Sequence, residues 1–125
     1  MGDYSQVNLK EVEDQAKSFG LEGMEARFPH QELGAGLSYQ KYEPNTRIPF
    51  GHQHEEAEEI YVVVQGSGRL KLDDEIVEVK QWDAVRIAPQ VTRAVEAGPD
   101  GMELLAVNSA GHTSDTEPIP GWWSD

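Results

Sequence analysis

The alternation of hydrophobic and polar positions from residue 37 onward predicts a series of short β-strands. Gly, Pro, Asn and Asp separate the apolar runs, and almost no helical periodicity is present. Short strands at this spacing are typical of a β-sandwich or a β-barrel, so we predict an all-β fold. The strand candidates cover residues 37–43, 47–50, 59–65, 69–72, 75–79, 84–88, 93–97 and 102–108.

The strongest strand candidate, at 59–65, is apolar on both faces. Ile60, Val62 and Val64 alternate with Tyr61 and Val63. A strand covered on both sides fits a barrel wall that packs inward and also against a second sheet or subunit. We expect the glycine-containing segment 65–68 to reverse the chain into the next strand, at 69–72.

The two ends of the chain differ from this barrel pattern. Asn8 and Glu11 predict a capping pair for a short helix over 9–17, although the same apolar residues also suit an extended arm across the barrel wall. Residues 20–36 are typical of a loop with one short strand. We divide the chain into an N-terminal arm (1–36), a barrel (37–108) and a C-terminal tail (109–125). Trp122 and Trp123 are expected to clamp this tail onto the barrel or a partner chain, with ligand stacking as the alternative.

Composition restricts the class of protein. The 125 residues suffice for one domain, and the formal charge of −13 repels phosphate backbones and anionic lipids, so neither nucleic acid nor a membrane is an expected partner. The absence of cysteine excludes disulfides and thiolate ligands. The first 12 residues lack the pattern of a secretory signal, and no apolar run approaches the ~20 residues of a membrane span. A cytoplasmic location is therefore expected.

One stretch carries the residue types of a metal site. His52 and His54 are two positions apart, so both imidazoles lie on the same face of an extended strand, and Glu59 opens the strand that follows. Two imidazoles and a carboxylate are the facial donor set of non-haem Fe(II) sites. The plain alternative is a pair of histidines at the barrel rim. His30 and His112 stand in loops without partners at ligand spacing, although His112 could fold back as a fourth ligand.

These residues resemble the cupin superfamily of small jelly-roll β-barrels. Its first motif, G-x5-H-x-H-x3,4-E-x6-G, is matched by His52, His54, Glu59 and Gly66, whereas Thr46 stands where the first glycine falls. The resemblance covers over half the chain. It implies a single-domain cupin-type jelly-roll β-barrel with a short N-terminal arm or helix and an irregular C-terminal tail.

The second cupin motif, G-x5-P-x-G-x2-H-x3-N, has lost most of its signature residues. Trp82 replaces its first glycine, Ala88 its proline, Gln90 its second glycine and Ala97 its asparagine. Arg93 stands at the histidine that gives the family its fourth metal ligand. A permanently cationic guanidinium cannot ligate a metal.

Three interpretations of Arg93 remain open. In the first, His52, His54 and Glu59 hold a divalent metal and Arg93 points past it to clamp a substrate carboxylate or phosphate. In the second, Arg93 pairs with Glu59 and its guanidinium replaces the charge of the metal. In the third, Arg93 turns outward into solvent.

The resemblance implies a small metal-binding cupin that acts on a small polar or anionic metabolite. His52, His54 and Glu59 would hold Fe, Mn, Zn or Ni, and Arg93 and Tyr61 would contact the substrate. Isomerase, lyase and dioxygenase chemistries all occur in similar proteins, and no catalytic residue is identified. The rival hypothesis is a non-catalytic, metal-free ligand-binding cupin in which Arg93 pairs with Glu59. The doubly apolar strand and the Trp pair predict a homodimer.

Overall fold

The computed structural model describes residues 3–34, 36–53, 58–108, 117–120 and 122–123. Within these ranges, no helix is long and apolar enough to cross a membrane. Two 3-10 turns (Leu9–Glu11 and Lys17–Phe19) and the short helix α1 (His30–Leu33) lie in the N-terminal part. The strands are β1 (Met24–Arg27), β2 (Gly36–Tyr42), β3 (Phe50–Gln53), β4 (Glu59–Leu72), β5 (Glu75–Lys80), β6 (Ala84–Ile87), β7 (Arg93–Asn108) and β8 (Glu117–Pro120).

Two long strands, β4 and β7, run antiparallel to each other and connect the rest of the sheet. Five strands follow the order β1-β2-β7-β3-β8, while β4 pairs with β7 and also with β5 and β6. The C-terminal part of β7 lies between β2 and the start of β4, whereas its N-terminal part lies between β3 and the end of β4. This arrangement confirms the predicted all-β, jelly-roll fold.

The reversal predicted at 65–68 is wrong, because β4 continues through this segment as one strand of 14 residues. Gly66 has φ 80°, and the register with β7 shifts on both sides of it. A Cβ atom at Gly66 would lie 2.2 Å from the carbonyl oxygen of Gly101. The glycine therefore allows a bulge that bends β4, where the sequence pattern predicted a turn.

The core lies between the inward faces of β4 and β7. Tyr61, Val63 and Leu70 on β4 and Leu104 on β7 are all 2% exposed or less. Burying each such side chain contributes ~1.5–3 kcal/mol. The outward side of β4 differs, since Ile60 is 40% exposed. The described residues of this chain thus do not supply the outer cover that the doubly apolar pattern predicted.

The N-terminal arm contains no helix over 9–17. The Asn8 side chain caps only the short turn Leu9–Glu11. Further along, the carboxylate of Asp14 accepts hydrogen bonds from the backbone N–H groups of Ala16 and Ala26, both at 3.0 Å. These bonds hold the arm against β1 in an irregular, mostly extended conformation, because Asp at this position satisfies backbone groups outside a helix.

The C-terminal tail adds β8 beside β3 and then packs on the outside of the barrel. The Trp122 ring lies 3.8 Å from Lys71 Nζ, and the Trp123 ring lies 4.3 Å from the guanidinium carbon of Arg47. The indole N–H of Trp123 donates to the carbonyl of Ile48 at 2.8 Å. Cation–π contacts and this hydrogen bond attach the tail to the barrel, on the face opposite the core.

Candidate ligand-binding site

Three strands bring His52, Glu59 and Arg93 to one end of the barrel interior. Arg93 opens β7 and lies opposite His52 on β3. Glu59 opens β4 and lies opposite Asn108 at the other end of β7. Residues paired across antiparallel strands share a face of the sheet. Val95, two positions after Arg93, and Ala106, two positions before Asn108, belong to the core, so both pairs lie on the inward face.

Arg93 is fully buried, and the chain itself supplies the acceptors for its guanidinium. Nη1 donates to Glu59 Oε1 at 3.1 Å. Nη2 donates to the carbonyl oxygens of Ala88, Pro89 and Val91 at 2.8, 3.2 and 2.9 Å, and Nε donates to Val91 as well. The turn after β6 therefore forms a carbonyl cradle around the guanidinium, consisting of the backbone of Ala88, Pro89 and Val91.

The Glu59–Arg93 ion pair lies almost entirely out of water. Arg93 is 0% exposed, and the side chain of Glu59 is 11% exposed. Each partner offsets the desolvation cost of the other, and the carbonyl cradle satisfies donors of Arg93 that Glu59 does not reach. The pair itself adds no net charge to the site.

Two buried tyrosines, Tyr61 and Tyr42, are affected by the charge of Glu59. Burial raises the pKa of Tyr61 well above its ordinary value, and the charge of Glu59 and a hydrogen bond to it raise it further. Burial, followed by the charge of Glu59, also raises the pKa of Tyr42. Both phenols therefore stay protonated at neutral pH and act as hydrogen-bond donors.

A chain of polar side chains on β2 extends this site, and the sequence reasoning missed two of its members. The Tyr42 hydroxyl donates to Gln40 Oε1, and Gln40 Nε2 donates to Ser38 Oγ at 3.1 Å. Their partners on β7 are buried core residues, so all three side chains lie on the inward face of β2. Strict alternation along β2 was the signal that could have identified Ser38 and Gln40.

The residues predicted for the site have different outcomes. Glu59 faces inward, whereas Glu58 pairs with Arg86 at the surface. His52 is half-buried opposite Arg93. His54 and His112 lie outside the described residues, so their roles as ligands stay predictions.

The geometry of Arg93 matches the second of its three interpretations. Full burial contradicts the outward orientation, and the acceptors on Glu59 and in the carbonyl cradle leave the guanidinium no open fork for a substrate. The side chain instead binds the carboxylate that the motif assigns to the metal.

A divalent ion does not fit the described residues well. Among them, no group of three His, Asp or Glu side chains is arranged to hold a metal. Glu59 is already paired with a fixed cation. A dication bound to the same carboxylate would lie within about 5 Å of the guanidinium, and at an effective dielectric constant near 20 the repulsion is roughly 7 kcal/mol.

A separate groove of about 710 Å³ opens on another part of the barrel. Its lining includes Ser67, Arg69, Glu96 and Gly98, and it includes neither Glu59 nor Arg93. Both Arg47 and Arg69 pair with Glu96 there, at 2.5 and 2.6 Å. Together with Lys80, Glu78 and Asp83 of the lining, these residues carry three charges of each sign, so the groove has no net charge.

The fold and the motif residues together define a cupin-type barrel. A family model described as a cupin domain matches residues 38–108, and the chain belongs to this family. The uncharacterized protein MJ1618 of Methanocaldococcus jannaschii is 40% identical over 45 residues, which are 36% of each protein. The matched segment thus spans about a third of that curated relative.

Solved structures support the same fold. A Streptomyces protein, PAC13, with uridine is 16% identical with a TM-score of 0.74, and the match covers 91% of this chain and 89% of that one. A cupin protein from Bacteroides fragilis is 26% identical with a TM-score of 0.60, over 92% and 95%. A variant of the oxalate decarboxylase of Bacillus subtilis is 25% identical with a TM-score of 0.72, over 94% of this chain and 33% of that chain. Similar structures thus include an enzyme and a protein with a small-molecule ligand.

Proposed function

We propose that this cupin binds a small, polar, uncharged molecule inside the barrel and that the Glu59–Arg93 pair takes the place of a metal ion. The observation that carries the proposal is the buried contact between Arg93 Nη1 and Glu59 Oε1. The guanidinium supplies the positive charge that the carboxylate requires, and the carbonyl cradle holds it in position.

The hydrogen-bonding groups beside the pair determine the class of ligand. Ser38, Gln40, Tyr42 and Tyr61 offer hydroxyl and amide groups without a net charge. Such groups recognise hydroxyl, carbonyl and ring nitrogen atoms of a neutral molecule. Uridine, the molecule with the similar PAC13 structure, belongs to this chemical class.

A second candidate function is a metal-dependent isomerase, lyase or dioxygenase. The spacing of His52, His54 and Glu59 favours it, as does the likeness to an oxalate decarboxylase. In this case the three side chains would hold the ion, which would polarise a carbonyl group of the substrate. Glu59 would then have to share its carboxylate between the ion and Arg93.

Metal content separates the two candidates. Protein purified without an affinity tag should contain less than about a tenth of an equivalent of Fe, Mn, Zn or Ni by elemental analysis, because Arg93 occupies the carboxylate. The variant Arg93→His supplies an imidazole in place of the cation and should bind Zn²⁺ or Ni²⁺ measurably more tightly in calorimetry. Arg86→His, at a surface position, is the matched control and should leave metal affinity unchanged.

Near-stoichiometric metal in the wild-type protein, lost in Glu59→Gln, would establish the second candidate instead. For the ligand, a panel of nucleosides and neutral metabolites should raise the melting temperature of the wild-type protein. A Tyr61→Phe variant should weaken that shift. If no neutral compound shifts the melting temperature while carboxylates or phosphates do, the assigned ligand class is wrong.

The cytoplasmic location and the homodimer expected from the sequence stay predictions. The small-molecule ligand has support from the fold, because a similar structure contains one.

A further inference from the structure

The hydroxyl group of Ser38 carries a buried proton for which the described residues supply no acceptor. Ser38 lies on the inward face of β2 and is 6% exposed. In the described part of the chain, its hydroxyl takes part in one hydrogen bond, which it accepts from Gln40 Nε2 at 3.1 Å. A serine hydroxyl has one proton to donate in addition to the lone pairs with which it accepts. Because a buried donor without an acceptor is destabilising, this position favours an acceptor from another molecule.

The orientation of the Gln40 amide determines which hydroxyl keeps its proton unpaired. The amide contacts the hydroxyls of Ser38 and Tyr42, which lie two residues to either side of it. The 3.1 Å contact with Ser38 is an ordinary length for N–H···O and long for O–H···O, which places Nε2 on this side. The amide oxygen then faces Tyr42 and accepts its proton. The donors therefore run from Tyr42 through Gln40 to Ser38, and the Ser38 proton is left at the end.

The phenol of Tyr42 keeps this direction fixed at neutral pH. Burial, followed by the charge of Glu59, raises the pKa of Tyr42, so its hydroxyl retains the proton. Within the described residues, Gln40 is the one hydrogen-bond partner of that hydroxyl. If the amide turned over, the buried phenol would lose the acceptor of its proton and Ser38 would gain one. The phenol is the stronger donor of the two hydroxyls, so its pairing with the amide oxygen is favoured.

The position of Ser38 in the sheet brings it close to the other polar groups of the interior. Ser38 and Tyr61 are both partners of Ala106, on β2 and β4 respectively, so they flank this small residue on the inward face. The neighbouring row holds Glu59 opposite Asn108. Two strands on either side of a third lie about 10 Å apart, so a small molecule over Ala106 can contact both flanking side chains.

We propose that Ser38 selects the ligand by donating its proton to an acceptor atom, such as a carbonyl oxygen or an unprotonated ring nitrogen. Gln40 is the positioning residue that fixes this polarity. An N–H group of a ligand in the same place would face another donor, and both would stay unpaired. This inference rests on the proposed function, because it takes the ligand to be a small neutral molecule inside the barrel.

Two small neutral probes test the polarity of the site. N,N-Dimethylacetamide has a carbonyl oxygen and no N–H group, whereas pyrrole has an N–H group and no lone pair to accept with. Each is titrated to about 100 mM into the ¹⁵N-labelled full chain, because molecules of this size bind weakly, and the amide signal of Ala106 is followed by NMR. The wild-type protein should bind dimethylacetamide at least about ten-fold more tightly than pyrrole, since it alone pairs the Ser38 proton.

Substitutions at two positions separate the roles of the hydroxyl and the amide. Ser38→Ala removes the donor and should bring the two affinities within about two-fold of each other. Ser67→Ala, the same change in the outer groove, is the matched control and should keep the wild-type preference. Gln40→Glu is measured at about pH 9, well above the ordinary pKa of a glutamate. Its carboxylate accepts from both hydroxyls, so Ser38 presents lone pairs and the preference should reverse toward pyrrole.

Gln40→Met removes both ends of the amide without adding a charge, and it should abolish the preference even if the carboxylate is not tolerated. The inference is overturned if both probes shift the Ala106 signal with equal affinity, or if the preference for dimethylacetamide survives Ser38→Ala. In either case the neutral ligand class stands, and a group other than Ser38 selects the ligand. If neither probe shifts the Ala106 signal at about 100 mM, the proposed function fails together with this inference.

Discussion

Replacement of Arg93 by methionine tests the role of the buried ion pair. Methionine has a similar length and no charge, so Arg93→Met removes the guanidinium from the buried carboxylate of Glu59. Breaking a buried pair in this way costs about 3–5 kcal/mol. The carbonyl oxygens of the cradle also lose their donors, and each unsatisfied buried group costs about 1–3 kcal/mol unless water reaches it.

The expected loss is therefore at least about 4 kcal/mol, against a total stability of about 5–15 kcal/mol for a domain. Glu59→Gln should cost less, about 1.5–3 kcal/mol, because the cradle still satisfies Arg93. The double variant should then be more stable than the sum of the two single effects predicts. We expect a coupling energy above about 1.5 kcal/mol, since the two residues are in direct contact.

Urea denaturation followed by tryptophan fluorescence measures these free energies for the wild type and the three variants. All four proteins should have similar denaturant slopes, which shows that the folded states are alike. The reasoning is refuted if the free energy of unfolding of Arg93→Met lies within about 1 kcal/mol of the wild-type value. It also fails if the loss of stability in the double variant equals the sum of the two single losses within about 0.5 kcal/mol, because such additivity is typical of residues that do not interact.

Two further predictions concern stability. The raised pKa values of Tyr42 and Tyr61 mean that the folded state keeps protons that the unfolded chain loses above pH 10.0, so the free energy of unfolding should fall as pH rises past that value. Phenylalanine at either position should reduce the slope, measured by urea denaturation from pH 8 to 11. Gly66→Ala should destabilise the protein by more than about 2 kcal/mol, whereas Gly20→Ala, strained but in open space, should cost only about 1 kcal/mol. Equal losses would contradict the close contact at Gly66.

The sequence pattern predicted features that depend on the alternation of side chains along a strand. It failed for segments whose structure depends on local backbone conformation or on contacts with distant residues. Glu59 lies two and four positions before Tyr61 and Val63 on the same strand, so alternation places all three on the buried face. The reversal at 65–68 was wrong because glycine permits a bulge as readily as a turn, and only pairing with β7 distinguishes the two. The helix over 9–17 was wrong because Asp14 binds backbone groups of β1, a contact between distant segments.

The partner of Arg93 was one of three alternatives in the sequence, and the carbonyl cradle was not among the expectations. Its acceptors are main-chain carbonyl oxygens, which every residue type has, so the sequence does not indicate where they bind a side chain. Ser38 and Gln40 were missed for a different reason, because they belong to no motif and only their pairing with Ala106 and Leu104 shows that they face inward. Long-range contacts and main-chain acceptors are thus the parts of this site that a single sequence does not reveal.

The carbonyl cradle has a consequence for how freely this region can mutate. Every acceptor it offers to Arg93 is a peptide oxygen, and any residue that follows the same backbone path provides one. Side-chain identity at 88–91 therefore carries little of the binding energy for the guanidinium. A library randomised at Gln90 should retain many folded members, whereas one randomised at Arg93 should retain few. This loop can therefore lose the signature residues of the second cupin motif and still hold the buried guanidinium of Arg93.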